Sequence, residues 1–260
     1  MQSLTLETRL ATRIVHISDL HCPARDFRQA DALIESIVAA APDLTVASGD
    51  LTRRGRNREY RVAADLLSRL PGRRLVVPGN HDVPISGIIG HRFQRFSEYF
   101  PGQPLFLETQ DVFLVGLNTA LGSRFGDWSL GDAPRSRTEP VVEILREKVG
   151  GRLGVVVCHH PLRSHVLDVR RSTTARGPEA FAELASAGMK LLLHGHLHRS
   201  SRSCVEVLGG SVCELCANTA LSDRERAGAA GYNIVDVDGL DYTVTATRWT
   251  GERYELSATL

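Results

Sequence analysis

The sequence predicts an α/β fold: strands alternating with helices build a core, and a second, largely antiparallel sheet packs on it. Two observations predict this. Short runs rich in Val, Ile and Leu recur as far as Ser200, separated by stretches whose apolar residues fall at helical spacing. Beyond Ser200 the strand-like runs follow one another with no helical stretch between them. The chain has 260 residues, 42% of them hydrophobic, and no repeat, low-complexity tract or linker, so one domain over residues 1–260 is expected.

Six runs read as buried strands: Arg13–Ser18, Asp43–Ser48, Arg73–Val77, Val112–Leu117, Leu153–Cys158 and Lys190–Leu193. Between the first two, Ala30–Ala40 sets Ala30, Leu33, Ile34, Ile37 and Val38 on one helical face. Tyr60–Leu70 does the same with Val62, Leu66, Leu67 and Leu70. Pro140–Val149 and Pro178–Ala187 each begin with proline, which suits a first helical turn. After Ser200, Cys204–Leu208, Val212–Ala217, Tyr232–Val237 and Tyr242–Trp249 read as strands, with Asp238-Gly239 as a hairpin turn. Val83–His91 and Ala120–Thr138 are long and irregular, and long loops in a compact domain often carry function. Arg92, Phe93, Phe96 and Tyr99 stand at helical spacing, which fits a cover packed on the core or the wall of a pocket.

The formal net charge of +1 advertises neither a nucleic-acid groove nor attraction to an anionic membrane. No run approaches the roughly 18 apolar residues of a membrane span, and Met1–Thr12 lacks the basic and apolar regions of a signal peptide. Five scattered cysteines, an odd number, suggest a reducing compartment without a disulfide framework, so the cytoplasm is expected. Cys213-x-x-Cys216 with Cys204 does not complete a zinc site, and half-buried free thiols are expected there. Cys22 and Cys158 read as small packing residues.

Side chains able to bind metal fall repeatedly just after the predicted strands. They are Asp19-Leu20-His21, Gly49-Asp50, Gly79-Asn80-His81-Asp82, His159-His160-Pro161 and His194-Gly195-His196-Leu197-His198. In an open parallel sheet the carboxyl ends of strands share one edge, where ligands bind, so these five clusters are expected to converge. Imidazole nitrogen with carboxylate and amide oxygen, without a thiolate set, favours Mn, Fe, Zn or Co over Ca or Mg. So many ligands suit two ions about 3.5–4 Å apart that share a bridging carboxylate.

In this order, from Asp19 to His198, the five motifs resemble the signature of calcineurin-like metallophosphoesterases. Gly231-Tyr232-Asn233, entering a strand, is similar to bacterial members that cleave cyclic nucleotides or glycerophosphodiesters. The resemblance implies a four-layer α-β-β-α sandwich of two mixed sheets flanked by helices, as in metallo-dependent phosphatases. It implies that Asp19, His21 and His198 hold one metal ion, that Asn80, His159 and His196 hold the other, and that Asp50 bridges them. Of the adjacent pair, His159 comes first after the strand and is taken as the ligand; His160 then stands behind it or faces the core. Mn, Fe or Zn would fill the two positions. His81 matches the family's non-ligand histidine, expected to give a hydrogen bond or proton to the phosphate or leaving oxygen. His194 is expected to be structural, and Asp82 to accept hydrogen bonds behind the ligands or to cap a helix.

The resemblance implies hydrolysis of a small-molecule phosphoester by in-line attack of a metal-bridging hydroxide, with a cyclic nucleotide or glycerophosphodiester preferred. A small-molecule phosphomonoesterase is the alternative. A non-catalytic metal-binding scaffold of the same fold stands behind both, because the ligand set is intact. There is one departure. Protein phosphatases of the superfamily carry Gly-Asp-x-x-Asp-Arg-Gly, with the second aspartate orienting the histidine; here Arg53 takes that place, and a guanidinium cannot accept a hydrogen bond. Specificity is expected in Val83–Phe106 and Ala120–Thr138. Arg53, Arg54, Arg92, Arg124 and Arg163 are near enough in sequence to reach the crevice, with a solvated surface as the competing expectation for each.

Overall fold

The apolar runs do form strands, but two sheets share them. The computed structural model describes residues 11–23, 27–84, 92–103, 105–121, 127–164, 174–208, 210–221 and 229–260. In its first half the order is β1 (Thr12–Ile17), α1 (Phe27–Ala40), β2 (Leu44–Ala47), α2 (Asn57–Ser68) and β3 (Arg73–Val76). There follow α3 (Gln94–Tyr99), β4 (Phe106–Glu108), β5 (Val112–Gly116), β6 (Gly131–Asp132), α4 (Arg135–Lys148) and β7 (Leu153–Val157). Then come β8 (Thr174–Ala175), α5 (Gly177–Ser186), β9 (Met189–His194), β10 (Ser201–Val207), β11 (Gly210–Cys216), β12 (Asn233–Asp238), β13 (Asp241–Trp249) and β14 (Tyr254–Thr259).

One six-stranded sheet runs β14-β13-β12-β1-β2-β3 and the other β10-β11-β9-β7-β5-β4. The centres, β1-β2-β3 and β11-β9-β7-β5, are parallel; antiparallel strands extend them outward. The expected separate antiparallel sheet is therefore corrected: the strands after Ser200 are divided between both sheets. β12 pairs with β1 (Thr12↔Val237) and β11 with β9 (Cys213↔Leu191), satisfying edges whose amides and carbonyls would otherwise be unpaired.

Alternate residues of each central strand serve different layers. Ile14, Val46, Leu75, Val155, Leu191 and Val235 fill the space between the sheets. Val15, Ile17 and Ala47 face outward against Leu33 and Ile37 of α1 and Ala63 and Leu67 of α2. On the other side Phe113, Val156 and Leu192 meet Val141 and Leu145 of α4 and Phe181 and Leu184 of α5. The result is an α-β-β-α sandwich. Burial on both faces explains why these strands read as continuous apolar runs. Val38 and Val62 are 51% and 38% exposed, so each lies at the margin of its helical stripe. Phe96 and Tyr99 pack on the α1–α2 side, where Tyr99 stacks on Tyr60 at 5.4 Å, as a cover rather than a pocket wall.

Two local expectations are corrected. α4 begins at Arg135, so Pro140 lies inside it rather than in its first turn. Pro134, at φ −66° and ψ 149°, starts the helix, and its carbonyl accepts from the amides of Arg137 (2.8 Å) and Thr138 (3.0 Å). Pro140 and Ser136 are both exposed, so water can serve the Ser136 carbonyl that Pro140 cannot. The second correction concerns the cysteines. Cys204 and Cys213 face each other in the β10–β11 register, with Cα atoms 4.0 Å apart, and form a disulfide. Counting cysteines misses this because the hairpin, not the total, brings the pair together. Cys216, three residues on from Cys213, is a free buried thiol, as are Cys22 and Cys158. Cys204→Ser should cost about 2–3 kcal/mol for so short a loop. In thermal unfolding its midpoint should fall by several degrees, and reduced wild-type protein should match it.

Candidate metal centre

The chain turns sharply where the central strands end. Among the described residues seven non-glycine positions have positive φ, and five of them are nominated ligands: Asp19 (52°), His21 (47°), Asp50 (52°), His196 (67°) and His198 (56°). This conformation is uncommon for residues with a Cβ, and its concentration at one place points to function. Main-chain bonds lock the turns together: Asp19 N–H donates to Gly49 O (3.0 Å), His21 N–H to Asp50 O (2.9 Å) and Gly195 N–H to His159 O (3.0 Å). The glycines beside the ligands are needed for close approach. A Cβ at Gly79 would overlap the Asp50 carboxylate, and one at Gly195 would overlap Ser18 Oγ and Asp19 Oδ2.

The nominated aspartate and histidine side chains come together across the ends of both sheets. Ligand-capable atoms lie within 4.8 Å of one another in four sets: Asp19/His21/His198, Asp19/Asp50/His159, His21/Asp50/His81 and His159/His160/His196. Asp19 Oδ1 is 3.1 Å from His198 Nε2 and 3.7 Å from His21 Nε2, and those two nitrogens are 3.5 Å apart. Asp50 Oδ2 is 3.3 Å from His159 Nε2. Metal–ligand bonds of about 2.0–2.1 Å in tetrahedral array put neighbouring ligand atoms about 3.4 Å apart. The residues present therefore fit metal ions.

The hydrogen bonds agree with that fit. Asp19 Oδ1, Asn80 Oδ1 and His159 Nε2 are buried and make no hydrogen bond, a costly condition that calls for a partner. The other atoms of these groups are anchored. Asp19 Oδ2 accepts from Ser18 Oγ (2.7 Å) and from the His196 amide (3.0 Å). His159 Nδ1–H donates to Ser48 O (2.8 Å), which leaves Nε2 to face the centre. Ser48 is itself held from behind, its hydroxyl 2.9 Å from His16 Nε2.

Burial lowers His21 to about 4 and holds His160 well below the usual imidazole range, keeping both neutral. Burial lowers His159 too, but the Asp50 carboxylate, together with Asp19 and the Ser48 carbonyl, outweighs it and raises the group to about 9. Burial pushes Asp50 up, while His159 and then His81 outweigh it and hold the carboxyl well below its ordinary value. The carboxylates thus call for positive charge, which a proton on His159 supplies; a bound cation supplies the same charge and releases that proton.

His81 sits at the mouth, its side chain 18% exposed and its Nε2 4.0 Å from Asp50 Oδ2. Its amide donates to Asp50 Oδ1 (2.8 Å) and its Nδ1–H to Arg53 O (2.7 Å). The guanidinium of Arg53 cannot orient this histidine, but the main-chain carbonyl does; its Nε donates instead to His21 O (2.8 Å). The ring lies edge-to-face to both His21 and Trp128, each with its centroid 4.8 Å away.

Asp82 accepts from the amides of Leu51 (3.2 Å), Thr52 (2.9 Å) and Gly79 (2.9 Å), and from Thr52 Oγ1 (2.9 Å), tying the turn after Asp50 to the turn at Asn80. His160 Nδ1 is 3.0 Å from Thr119 Oγ1, and its ring centroid is 4.6 Å from that of His196. His194 is buried with Nδ1 3.1 Å from Gly195 O. Of the arginines, Arg163 reaches Glu214 (3.4 Å) and lies over Phe181, Arg54 is exposed, and Arg124 lies outside the described residues. Ser18, Ser48 and Thr119 carried no sequence signal, because none belongs to a motif; Trp128 falls in Ala120–Thr138, where specificity is expected, but is not singled out there.

A family model described as calcineurin-like phosphoesterase matches residues 12–200. A relative from Arcobacter nitrofigilis named "Probable glycerophosphodiester phosphodiesterase" is 24% identical over 164 residues, 62% of this chain. That match spans 58% of the relative's own length. A dimetal phosphatase from Danio rerio has a similar structure at 11% identity, with a TM-score of 0.63 over 95% of this chain and 98% of that one. A purple acid phosphatase from yellow lupin (Lupinus luteus) seeds is similar at 12% identity, with a TM-score of 0.68 over 96% of this chain and 53% of that one. These structural likenesses show a shared fold. Among the described residues no helix is long and apolar enough to cross a membrane.

Proposed function

The chain belongs to the calcineurin-like phosphoesterase family, and from that premise we propose that it is a dinuclear-metal phosphodiesterase acting on a small diester of the cyclic-nucleotide or glycerophosphodiester type. The observation that carries the reading is that Asp50 belongs to two of the ligand sets, Asp19/Asp50/His159 and His21/Asp50/His81, and so adjoins candidate ligands of both positions. Asp19, His21 and His198 would hold one ion and Asn80, His159 and His196 the other, with Asp50 available to both; Mn, Fe or Zn would suit these nitrogen and oxygen donors. Ions held there would lower the pKa of an attacking water and neutralise charge on the phosphoryl oxygens.

The protein's own residues do the rest. Ser18, Ser48 and the glycine-lined turns fix the ligand atoms before substrate arrives, so little reorganisation is needed on binding. His81, with Nδ1–H committed to Arg53 O, presents Nε2 to the crevice, where its doubly protonated form donates to the phosphoryl or departing oxygen. Two points support a diester over a monoester. The Arcobacter nitrofigilis relative bears a phosphodiesterase name. A monoester dianion also benefits from extra fixed cations, whereas Arg163 is engaged by Glu214 and Arg54 faces solvent. The net charge of +1 favours a small substrate over nucleic acid.

The test is to strip the protein of metal, reload it with manganese and compare bis(p-nitrophenyl) phosphate with p-nitrophenyl phosphate. The diester should show the higher kcat/KM. A faster monoester would replace this reading with a small-molecule phosphomonoesterase, and two bound metals with no turnover of either would favour a scaffold.

A further inference from the structure

Trp128 belongs to no motif, yet it touches the one candidate side chain that faces the mouth of the centre. The His81 ring meets both His21 and Trp128, each edge-to-face at 4.8 Å with interplanar angles of 80° and 81°. The indole is half-buried and in contact with His81. Its position is built in. The Leu130 amide donates to Asp127 O (3.2 Å) and Ser129 Oγ to Asp127 Oδ1 (2.5 Å), closing a turn around Trp128. The Asp132 amide then donates to Thr119 O (2.9 Å), and Gly131 lies so close to His160 that a Cβ there would come within 2.6 Å of that side chain. Thr119 and His160 are themselves hydrogen-bonded at the metal centre, so the turn carrying Trp128 hangs from the same groups that back the candidate ligands.

We propose that Trp128 forms the wall of the leaving-group subsite and selects esters whose departing group carries a planar ring, a nucleoside or an aryl alcohol, over glycerol-type alcohols. This rests on the phosphodiesterase reading, in which His81 stands beside the departing oxygen. His21 and Asp50, grouped with His81, mark where the phosphoryl group belongs, and the indole is the other ring against His81, so the substituent on the departing oxygen is placed toward the indole. An indole offers no charge to phosphate. It offers a flat apolar face, which binds a planar ring by stacking and gains little from a hydrated triol.

The chain has two tryptophans, and the other, Trp249, packs on Tyr254 at 5.1 Å among the α1–α2 side residues. W249F therefore leaves Trp128 as a single fluorescent reporter. Titrating that manganese-loaded protein with 5′-AMP should quench the indole, while glycerol 3-phosphate should not. In parallel, W128A should lower kcat/KM by about 10- to 100-fold on bis(p-nitrophenyl) phosphate, mostly through KM, and little on glycerophosphocholine, with metal content unchanged and W128F recovering part of the loss. Equal losses on both diesters, or an AMP titration without quenching, would overturn the proposal. If the parent protein cleaves neither diester, the phosphodiesterase reading fails, while the AMP titration still decides whether a planar ring stacks on Trp128.

Discussion

Asp50→Ala should remove bound metal and turnover together. Asp50 is 1% exposed and its two oxygens have different partners. Oδ1 accepts from the His81 amide at 2.8 Å, and Oδ2 lies 3.3 Å from His159 Nε2. It also joins two of the candidate ligand sets, so its loss weakens both positions at once, where losing His198 would weaken one. Turnover should fall by about 10³–10⁴-fold, since both activation of the attacking water and neutralisation of the phosphoryl oxygens depend on the ions. Elemental analysis should drop from two ions per chain to fewer than one. Asp50→Asn keeps an acceptor for the His81 amide and should preserve the turn while still losing metal, which separates charge from folding. Two ions retained in Asp50→Ala would exclude the bridging role.

The limits of the sequence are visible at particular residues. Strands β5, β7 and β9 announce themselves because both their faces are buried, so Val and Leu dominate them. Their division between two sheets does not, since β12 meets β1 across more than two hundred residues and no local pattern records the pairing. β14 alternates on an exposed edge with Leu256 71% exposed, and an edge strand lacks the apolar run that marks the others. In the sequence aspartate and histidine recur at strand ends, and the structure brings Asp19, His21, Asp50, His159, His196 and His198 into linked groups. Their supports left no such mark. The acceptor for His81 is the carbonyl of Arg53, a group every residue has, so no side chain at position 53 could have signalled it. Ser18 and Ser48 are ordinary residues until the fold sets one beside Asp19 and the other's carbonyl beside His159.

His81→Ala should separate catalysis from metal binding in a way that Asp50→Ala does not. An alanine keeps the main-chain N–H that donates to Asp50 Oδ1, so the carboxylate keeps its anchor. The ring's Nδ1–H is spent on Arg53 O, and its Nε2 lies farther from Asp50 Oδ2 (4.0 Å) than His159 Nε2 does (3.3 Å). Metal content should therefore stay near two per chain while turnover falls by about 10²–10⁴-fold, the usual contribution of a positioned proton donor. The loss should depend on the departing group. p-Nitrophenolate leaves without a proton, so the variant should be impaired least on bis(p-nitrophenyl) phosphate and most on a diester with an alkyl leaving group. Equal impairment on both would move the His81 contact from the departing oxygen to the phosphoryl oxygens. Metal lost in step with activity would make His81 a ligand, the alternative that its place in the His21/Asp50/His81 set allows.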